Sequence, residues 1–235
     1  MRRLLDPLLS TATVAGTGPD AGRIRALTLS GEDIARWEVI PGQQVRIQVG
    51  ADNRVVDRLV GALRTYSVWA HHGSRLDLRV VDHGEGPGAR WVRTVRPGDQ
   101  VRLTKPQGTF VCRPSGYHLF VGDETASVAF GAMIRGLDDG APAYALIEVD
   151  APAEQLGIPR EVTWIHRYGR PAANSTRLVD ALAALDLPDT PGTAYLAGEA
   201  RTIQLVRDHL VRTRGWQRSD IITKPFWTPG KTGME

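Results

Sequence analysis

The chain has 235 residues, 42% of them hydrophobic and 23% charged, the make-up of a globular protein with room for one large domain or two small ones. Its 29 Lys and Arg against 26 Asp and Glu leave a formal net charge of only +3, so the balance does not call for nucleic-acid binding. Cys112 is the only cysteine, which excludes an internal disulfide, a four-cysteine iron–sulfur site and a Cys-x-x-Cys pair; redox chemistry here needs a bound organic cofactor.

Met1-Arg2-Arg3-Leu4-Leu5 has the flavour of a signal peptide, but Asp6 and Pro7 interrupt it and no later stretch reaches the length of a membrane span. A cytoplasmic monomer without an integral membrane segment is expected. Strands and turns then follow. Thr11 to Ala15 and Arg23 to Leu29 are short runs separated by Gly16-Thr17-Gly18-Pro19, which reads as a hairpin turn. Pro41-Gly42 leads into Gln44 to Val49. Arg64 to Ala70 and Arg75 to Val81 continue the pattern around His71-His72-Gly73-Ser74, and Pro97-Gly98-Asp99 introduces Val101 to Thr104. About six short strands broken by Gly and Pro predict a small antiparallel barrel. The adjacent histidines point apart and have no third partner at metal spacing, so no metal site is expected.

Within the barrel, Arg64-Thr65-Tyr66-Ser67 places a cation and an aromatic ring on one face of a strand, with Thr65 and Ser67 on the other. Such a face suits a ligand that carries both a flat ring and a phosphate, because Tyr66 can lie on the ring while Arg64 forks onto phosphate oxygens. After Val81 comes Asp82-His83-Gly84-Glu85-Gly86-Pro87-Gly88, feeding a short helix from Ala89 through Trp91 to Val95. A glycine-rich loop opening a helix presents backbone N–H groups and a positive dipole end, a seat for a diphosphate. Taken singly, each of these is also an ordinary strand or turn.

From Tyr117 the rhythm changes to Tyr117 to Val121, a helix from Glu124 to about Leu137, Ala143 to Val149, Val162 to His166, a helix from Ser175 to Leu185, Thr193 to Ala197 and a helix from Arg201 to Arg212. Strands alternating with helices predict a doubly wound, mostly parallel sheet with ligands beyond the carboxyl ends of its strands. Cys112 to Gly116 reads as the linker. Gly122-Asp123-Glu124-Thr125-Ala126 falls at the first strand-to-helix turn, where Asp123 or Thr125 can cap the helix. Two acids there repel a pyrophosphate, and no Gly-x-Gly-x-x-Gly accompanies them.

Arg64-Thr65-Tyr66-Ser67, His83-Gly84-x-Gly86-Pro87-Gly88-Ala89-Arg90-Trp91, Pro97-Gly98-Asp99, Pro106-x-Gly108, Gly122-Asp123-Glu124-Thr125-Ala126 and Ala197-Gly198-Glu199-Ala200 stand in the order in which siderophore-interacting proteins carry them. The chain resembles that family, the ferric-siderophore reductases of the ferredoxin-reductase superfamily, over nearly its whole length. The resemblance implies a flavin-binding β-barrel over residues 1–113 and a nicotinamide-binding α/β domain with a carboxy-terminal tail over residues 114–235. It implies FAD, with Arg64, Tyr66 and Ser67 at its phosphates and ring and Asp82, His83, Gly84, Gly88, Ala89 and Trp91 along the diphosphate. Tyr66, Thr125 and Glu199 are the expected catalytic positions, the last two near the nicotinamide. Departures are modest: Leu196 precedes the Ala-Gly-Glu turn, Ser127-Val128 stand where Leu-Pro is usual, and Phe226 replaces a tyrosine in the closing segment.

The activity implied is reduction of chelated Fe(III), which hard oxygen donors hold more weakly once it is Fe(II), with NADH, NADPH or ferredoxin as donor. Glu148 and Asp150 favour NADH, whereas Arg167 and Arg170 can accept a 2′-phosphate. Cations at the flavin mouth would attract an anionic chelate, with Lys231 first and Arg167 and Arg170 after it; each is otherwise a solvated surface charge. Phe226-Trp227 is expected to turn back after a strand ending at Thr223, with Trp227 either covering the flavin or filling the core. The alternatives are a flavin or ferredoxin-type reductase with a protein partner and a non-catalytic flavin or siderophore carrier.

Overall fold

The computed structural model describes residues 9–49 and 63–230, and the chain divides into two compact units, Met1–Val111 and Cys112–Glu235. In the first, β1 (Ser10–Ala21), β2 (Ile24–Ser30), β3 (Gln44–Gln48), β4 (Leu63–His72), β5 (Arg75–Val81) and β6 (Gln100–Leu103) close into a barrel in the order β1-β2-β5-β4-β3-β6. All its pairings are antiparallel. Alternation along the strands sends Leu27, Leu29, Val45, Ile47, Leu76 and Leu78 inward, all fully buried. Each such side chain contributes roughly 1.5–3 kcal/mol by leaving water. Closure leaves the strands no free edge.

Two sequence expectations change here. β1 runs straight through Gly16-Thr17-Gly18-Pro19, and the hairpin turns later, at Gly22-Arg23, with Ala21 opposite Ile24. Register shifts between Val14 and Gly16 and between Pro19 and Ala21 mark bulges, which let a strand carry glycine and proline without ending. Likewise His71 and His72 belong to β4, opposite Leu76 and Arg75, and only Gly73-Ser74 turns. His71 Nε2 lies 3.0 Å from the Ile34 carbonyl oxygen. Helix α1 (Pro87–Thr94) connects β5 to β6 and buries Ala89 and Val92; Pro87 at its start supplies a preset φ where no N–H partner is needed.

In the second unit, β7 (His118–Asp123), β8 (Ala143–Val149), β9 (Thr163–His166), β10 (Thr193–Glu199) and β11 (Ile221–Trp227) form a parallel sheet in the order β11-β10-β7-β8-β9. Helices α2 (Glu124–Arg135), α3 (Arg177–Ala184) and α4 (Ala200–Arg212) supply three of the four crossovers, and a single 3-10 turn, Pro152–Glu154, lies in the connection from β8 to β9. Both faces of the sheet are covered. Leu119 and Val121 share a core with Leu178 and Leu182 of α3 and with Val206 and Leu210 of α4, while Phe120, pointing the other way, sets its ring 5.4 Å from Phe130 of α2. Burial on both sides explains why β7 has three consecutive apolar residues, Leu119 to Val121, in place of alternation.

The chain leaves β7 toward β8 on one side and returns to β10 on the other, so the order reverses between β7 and β10. That reversal opens the crevice where such sheets place ligands. β11 was expected to stop at Thr223 and extends to Trp227. Pro225 is tolerated because β11 is an edge strand, and the register shifts beside it, between Gly198 and Glu199 of β10.

Candidate functional site

On β4, Tyr66 lies opposite the buried Val45 and Arg64 opposite the buried Ile47, so both side chains project from the same face. The start of α1 rests on them. A Cβ placed on Gly88 would lie 2.8 Å from the Tyr66 hydroxyl and 3.6 Å from Arg64 Cγ; only glycine lets the helix come this close. The Tyr66 ring packs 5.7 Å from that of Trp91 at 34°. Its hydroxyl is buried with no hydrogen-bond partner, and burial pushes the phenol well above its ordinary range despite the opposing charge of Arg64. Arg64 Nη1 donates to the Leu63 carbonyl at 2.8 Å. Gly86 caps α1 without any side-chain bond, as a site for an external anion requires.

Ser67 is buried on the opposite side of β4, away from this face. Ala89 is buried and Trp91 half-buried against the barrel core, so both shape the site from beneath. His83 and Gly84 are exposed on the loop. Asp82 is anchored by its N–H to the Arg23 carbonyl at 2.8 Å, and its carboxylate is taken by Arg93: Nε donates to Oδ1 at 2.8 Å and to Oδ2 at 3.0 Å.

At the carboxyl ends of the parallel strands, Asp123 gathers three elements. Its Oδ1 accepts from the Thr125 N–H at 2.9 Å and hydroxyl at 2.5 Å, capping α2, and its Oδ2 accepts from the Glu199 N–H at 2.8 Å and from Trp227 Nε1 at 2.9 Å. Gly198 adopts φ +122 and its Cβ would stand 2.6 Å from the Asp123 carboxyl carbon, so conformation and space both require glycine. Burial, with the charge of Glu124 next, raises Asp123 to about 6 even though these bonds oppose the rise.

Glu199, buried, accepts from the N–H groups of Arg201 at 2.9 Å, Thr202 at 2.8 Å and Asn174 at 3.2 Å, and from the Thr202 hydroxyl at 2.9 Å. Burial pushes its carboxyl up, but these bonds hold it below its ordinary value. It is fully committed to capping α4. Thr125 is half-buried and bonds the same Asp123 carboxylate that receives the Glu199 N–H.

Arg167, expected at an exposed mouth, is instead buried and forks onto Glu124, with Nη1 and Nη2 each 2.7 Å from a carboxylate oxygen. A guanidinium out of water needs such a partner. Glu148 is buried as well; Oε1 accepts from Ser175 at 2.9 Å, Oε2 has no partner, and burial raises its carboxyl. Arg170 is exposed, and Lys231 lies outside the described residues. No described helix is long and apolar enough to cross a membrane.

Two family models match the chain: the siderophore-interacting FAD-binding domain over residues 51–110 and siderophore-interacting protein over residues 115–230. The chain belongs to the siderophore-interacting protein family. The ferric vibriobactin reductase ViuB of Vibrio cholerae is 28% identical over 176 residues, a match covering 72% of this chain and 65% of that protein. The chain thus spans somewhat under two thirds of the length of that curated relative. A siderophore utilization protein from T. fusca has the same fold, with a TM-score of 0.82 and 25% identity over 97% of this chain and 95% of that one. The siderophore-interacting protein SipS from Aeromonas hydrophila gives 0.81 at 23% identity, over 95% and 93%.

The barrel of a siderophore-interacting protein is a FAD-binding domain, and the residues here fit that group. A partnerless buried hydroxyl on Tyr66, the guanidinium of Arg64 and an uncapped helix start at Gly88 meet at one place, offering the donors that a diphosphate accepts from. Sequence reasoning missed Arg93, although seven residues from Gly86 is two helical turns and sets it on the same side of α1. It also missed the pairing of Glu124 with Arg167, for which 43 residues of separation leave no local signal.

Proposed function

We propose that this protein is a FAD-dependent reductase of ferric siderophores that takes electrons from a nicotinamide donor and releases Fe(II). What carries the reading is the convergence of Arg64, the unsatisfied Tyr66 hydroxyl and the uncapped start of α1, in a chain similar to a ferric vibriobactin reductase. When bound, FAD accepts two electrons from a hydride donor and can give them up singly, as Fe(III) requires. Arg64 holds phosphate charge, Tyr66 donates to a phosphate oxygen and flanks the ring, and the loop reaching Gly88 follows the diphosphate with His83 and Gly84 at its surface, while the Asp82 carboxylate stays with Arg93 and takes no part in holding it.

In the second unit, Asp123 and Glu199 build the crevice and are not its reacting groups, since each carboxylate is consumed by donors of the chain. Thr125 lines it. Arg170, exposed, and Lys231 are the cations proposed to draw in an anionic chelate. The reaction is placed in the cytoplasm.

Reduction by an iron–sulfur protein such as ferredoxin is a second reading, favoured by one observation. The β7–α2 turn, where a pyrophosphate would dock, already has the Thr125 N–H bonded to Asp123 and a carboxylate in its first turn. One experiment addresses both readings. The FAD-loaded protein is photoreduced without oxygen and mixed with a ferric catecholate and a ferrous trap; prompt reoxidation with stoichiometric Fe(II) is expected. No reoxidation by any ferric chelate refutes the proposal. Anaerobic titration with NADH, NADPH and reduced ferredoxin then identifies the donor.

A further inference from the structure

Arg93 belongs to none of the motifs that mark the barrel, yet all three nitrogens of its guanidinium are engaged. Nε donates to both Asp82 oxygens at 2.8 and 3.0 Å, Nη1 to the two Glu85 oxygens at 3.2 and 3.3 Å, and Nη2 to the Gly84 carbonyl at 2.9 Å. Its partner Glu85 has a side chain 82% exposed. The Glu85 arm is so open to water that it does little for stability; Asp82, with a side chain 19% exposed, is held more firmly, and stability alone gives only a partial account of the arrangement.

The position of the two acids offers a better one. Glu85 immediately precedes Gly86, the residue capping α1, and Asp82 lies at the other end of the same loop. A carboxylate within reach of a helix start bonds its N–H groups and gains from the dipole. Yet α1 has no side-chain cap and no acid in its first turn. The backbone is fixed in support: Arg90 Nη1 donates to the Glu85 carbonyl, and the Asp82 N–H to Arg23.

We propose that Arg93 is a positioning residue for FAD: it holds the carboxylates of Asp82 and Glu85 off the first turn of α1, where they would compete with the diphosphate for the same donors. The inference rests on the assignment of the barrel as the FAD site, and its test reads FAD binding, separately from iron reduction. Apoprotein is titrated with FAD by flavin fluorescence, and its unfolding is followed by circular dichroism.

Arg93→Gln is expected to weaken FAD binding about tenfold, the loss of one charge-assisted interaction, with the deficit shrinking as salt screens the freed carboxylates. Removing the competitors restores binding: Asp82→Asn with Glu85→Gln in the Arg93→Gln background returns the affinity to within about twofold of the wild type, as a coupled pair requires. A purely structural role would leave the deficit unrelieved. Should Arg93→Gln unfold the apoprotein, Arg93→Lys keeps the charge without the fork and is expected to give a smaller deficit that the same two substitutions again relieve. The proposal is overturned if Arg93→Gln binds FAD like the wild type, or if the deficit persists after both acids are neutralised. Wild-type apoprotein that binds no FAD at all would instead sink the assignment of the site.

Discussion

Gly88→Ala separates the cofactor site from the stability of the barrel because its two effects have opposite signs. The new methyl would stand 2.8 Å from the Tyr66 hydroxyl, about 0.6 Å inside the 3.4 Å at which ordinary contact begins. Either the ring or the start of α1 must give by that amount. In the free protein the shift costs little, because the hydroxyl has no partner to lose. Alanine also forms helix more readily than glycine, by up to about 1 kcal/mol. With FAD, the same methyl lies between Tyr66 and the helix donors, and breaking one hydrogen bond to a charged phosphate costs on the order of 1.5–3 kcal/mol. The apoprotein should therefore melt at an unchanged or slightly higher temperature while the FAD dissociation constant rises roughly tenfold to a hundredfold. Calorimetry of the apoprotein and fluorescence titration with FAD measure the two effects. An affinity within twofold of the wild type would refute the placement of the diphosphate at Gly88.

Arg167→Met takes the guanidinium away from the buried Glu124 carboxylate and should destabilise the protein by about 3–5 kcal/mol, read by urea denaturation. The same variant, if it folds, should not discriminate anionic from neutral ferric chelates, and a selective loss on the anionic one would return Arg167 to the substrate. Asp123 is raised above its ordinary 3.8 to about 6, so the folded state holds a proton that the unfolded state releases as pH rises from about 4 to 6. Stability should fall across that window and level off above it, by on the order of 1–3 kcal/mol, relative to Asp123→Asn; parallel stability–pH curves for the two proteins would contradict this. Thr125→Val should leave FAD content unchanged and slow flavin reduction by NADH or NADPH in stopped flow. Equal rates with each nicotinamide donor would shift the weight to an iron–sulfur donor.

Both layers of the architecture were legible in period. Alternating strands such as Arg75 to Val81 gave the barrel, and apolar strands separated by helical stretches gave the parallel sheet. Element ends were less so. Gly16 to Pro19 carry turn chemistry, but the bulges that absorb them arise from pairing with β2 across the barrel. Arg64 and Tyr66 could be placed on one face from alternation alone. That Ser67 faces away from them follows from the same rule, although its hydroxyl was expected at the ligand. Arg167 was misjudged because its burial depends on Glu124, which β9 meets only after the sheet has formed. Isolated turn motifs also concealed what Asp123 does: it caps one helix while fixing the N–H that starts another and the indole that ends β11.

The place of β11 bears on how the second unit is made. β10 is wholly interior, with Tyr195, Leu196 and Ala197 fully buried, yet one side of its backbone pairs with residues 221–227, a strand synthesised after the other four of the sheet. Until those residues leave the ribosome, β10 presents an open, apolar edge to any other chain in reach. Parallel pairing of this kind is slow because it must follow a long crossover. Nascent or prematurely terminated chains that stop short of Ile221 should therefore be the species that associate and require chaperones. The indole of Trp227, bonded back to Asp123 on the central strand, marks the point at which that exposure ends.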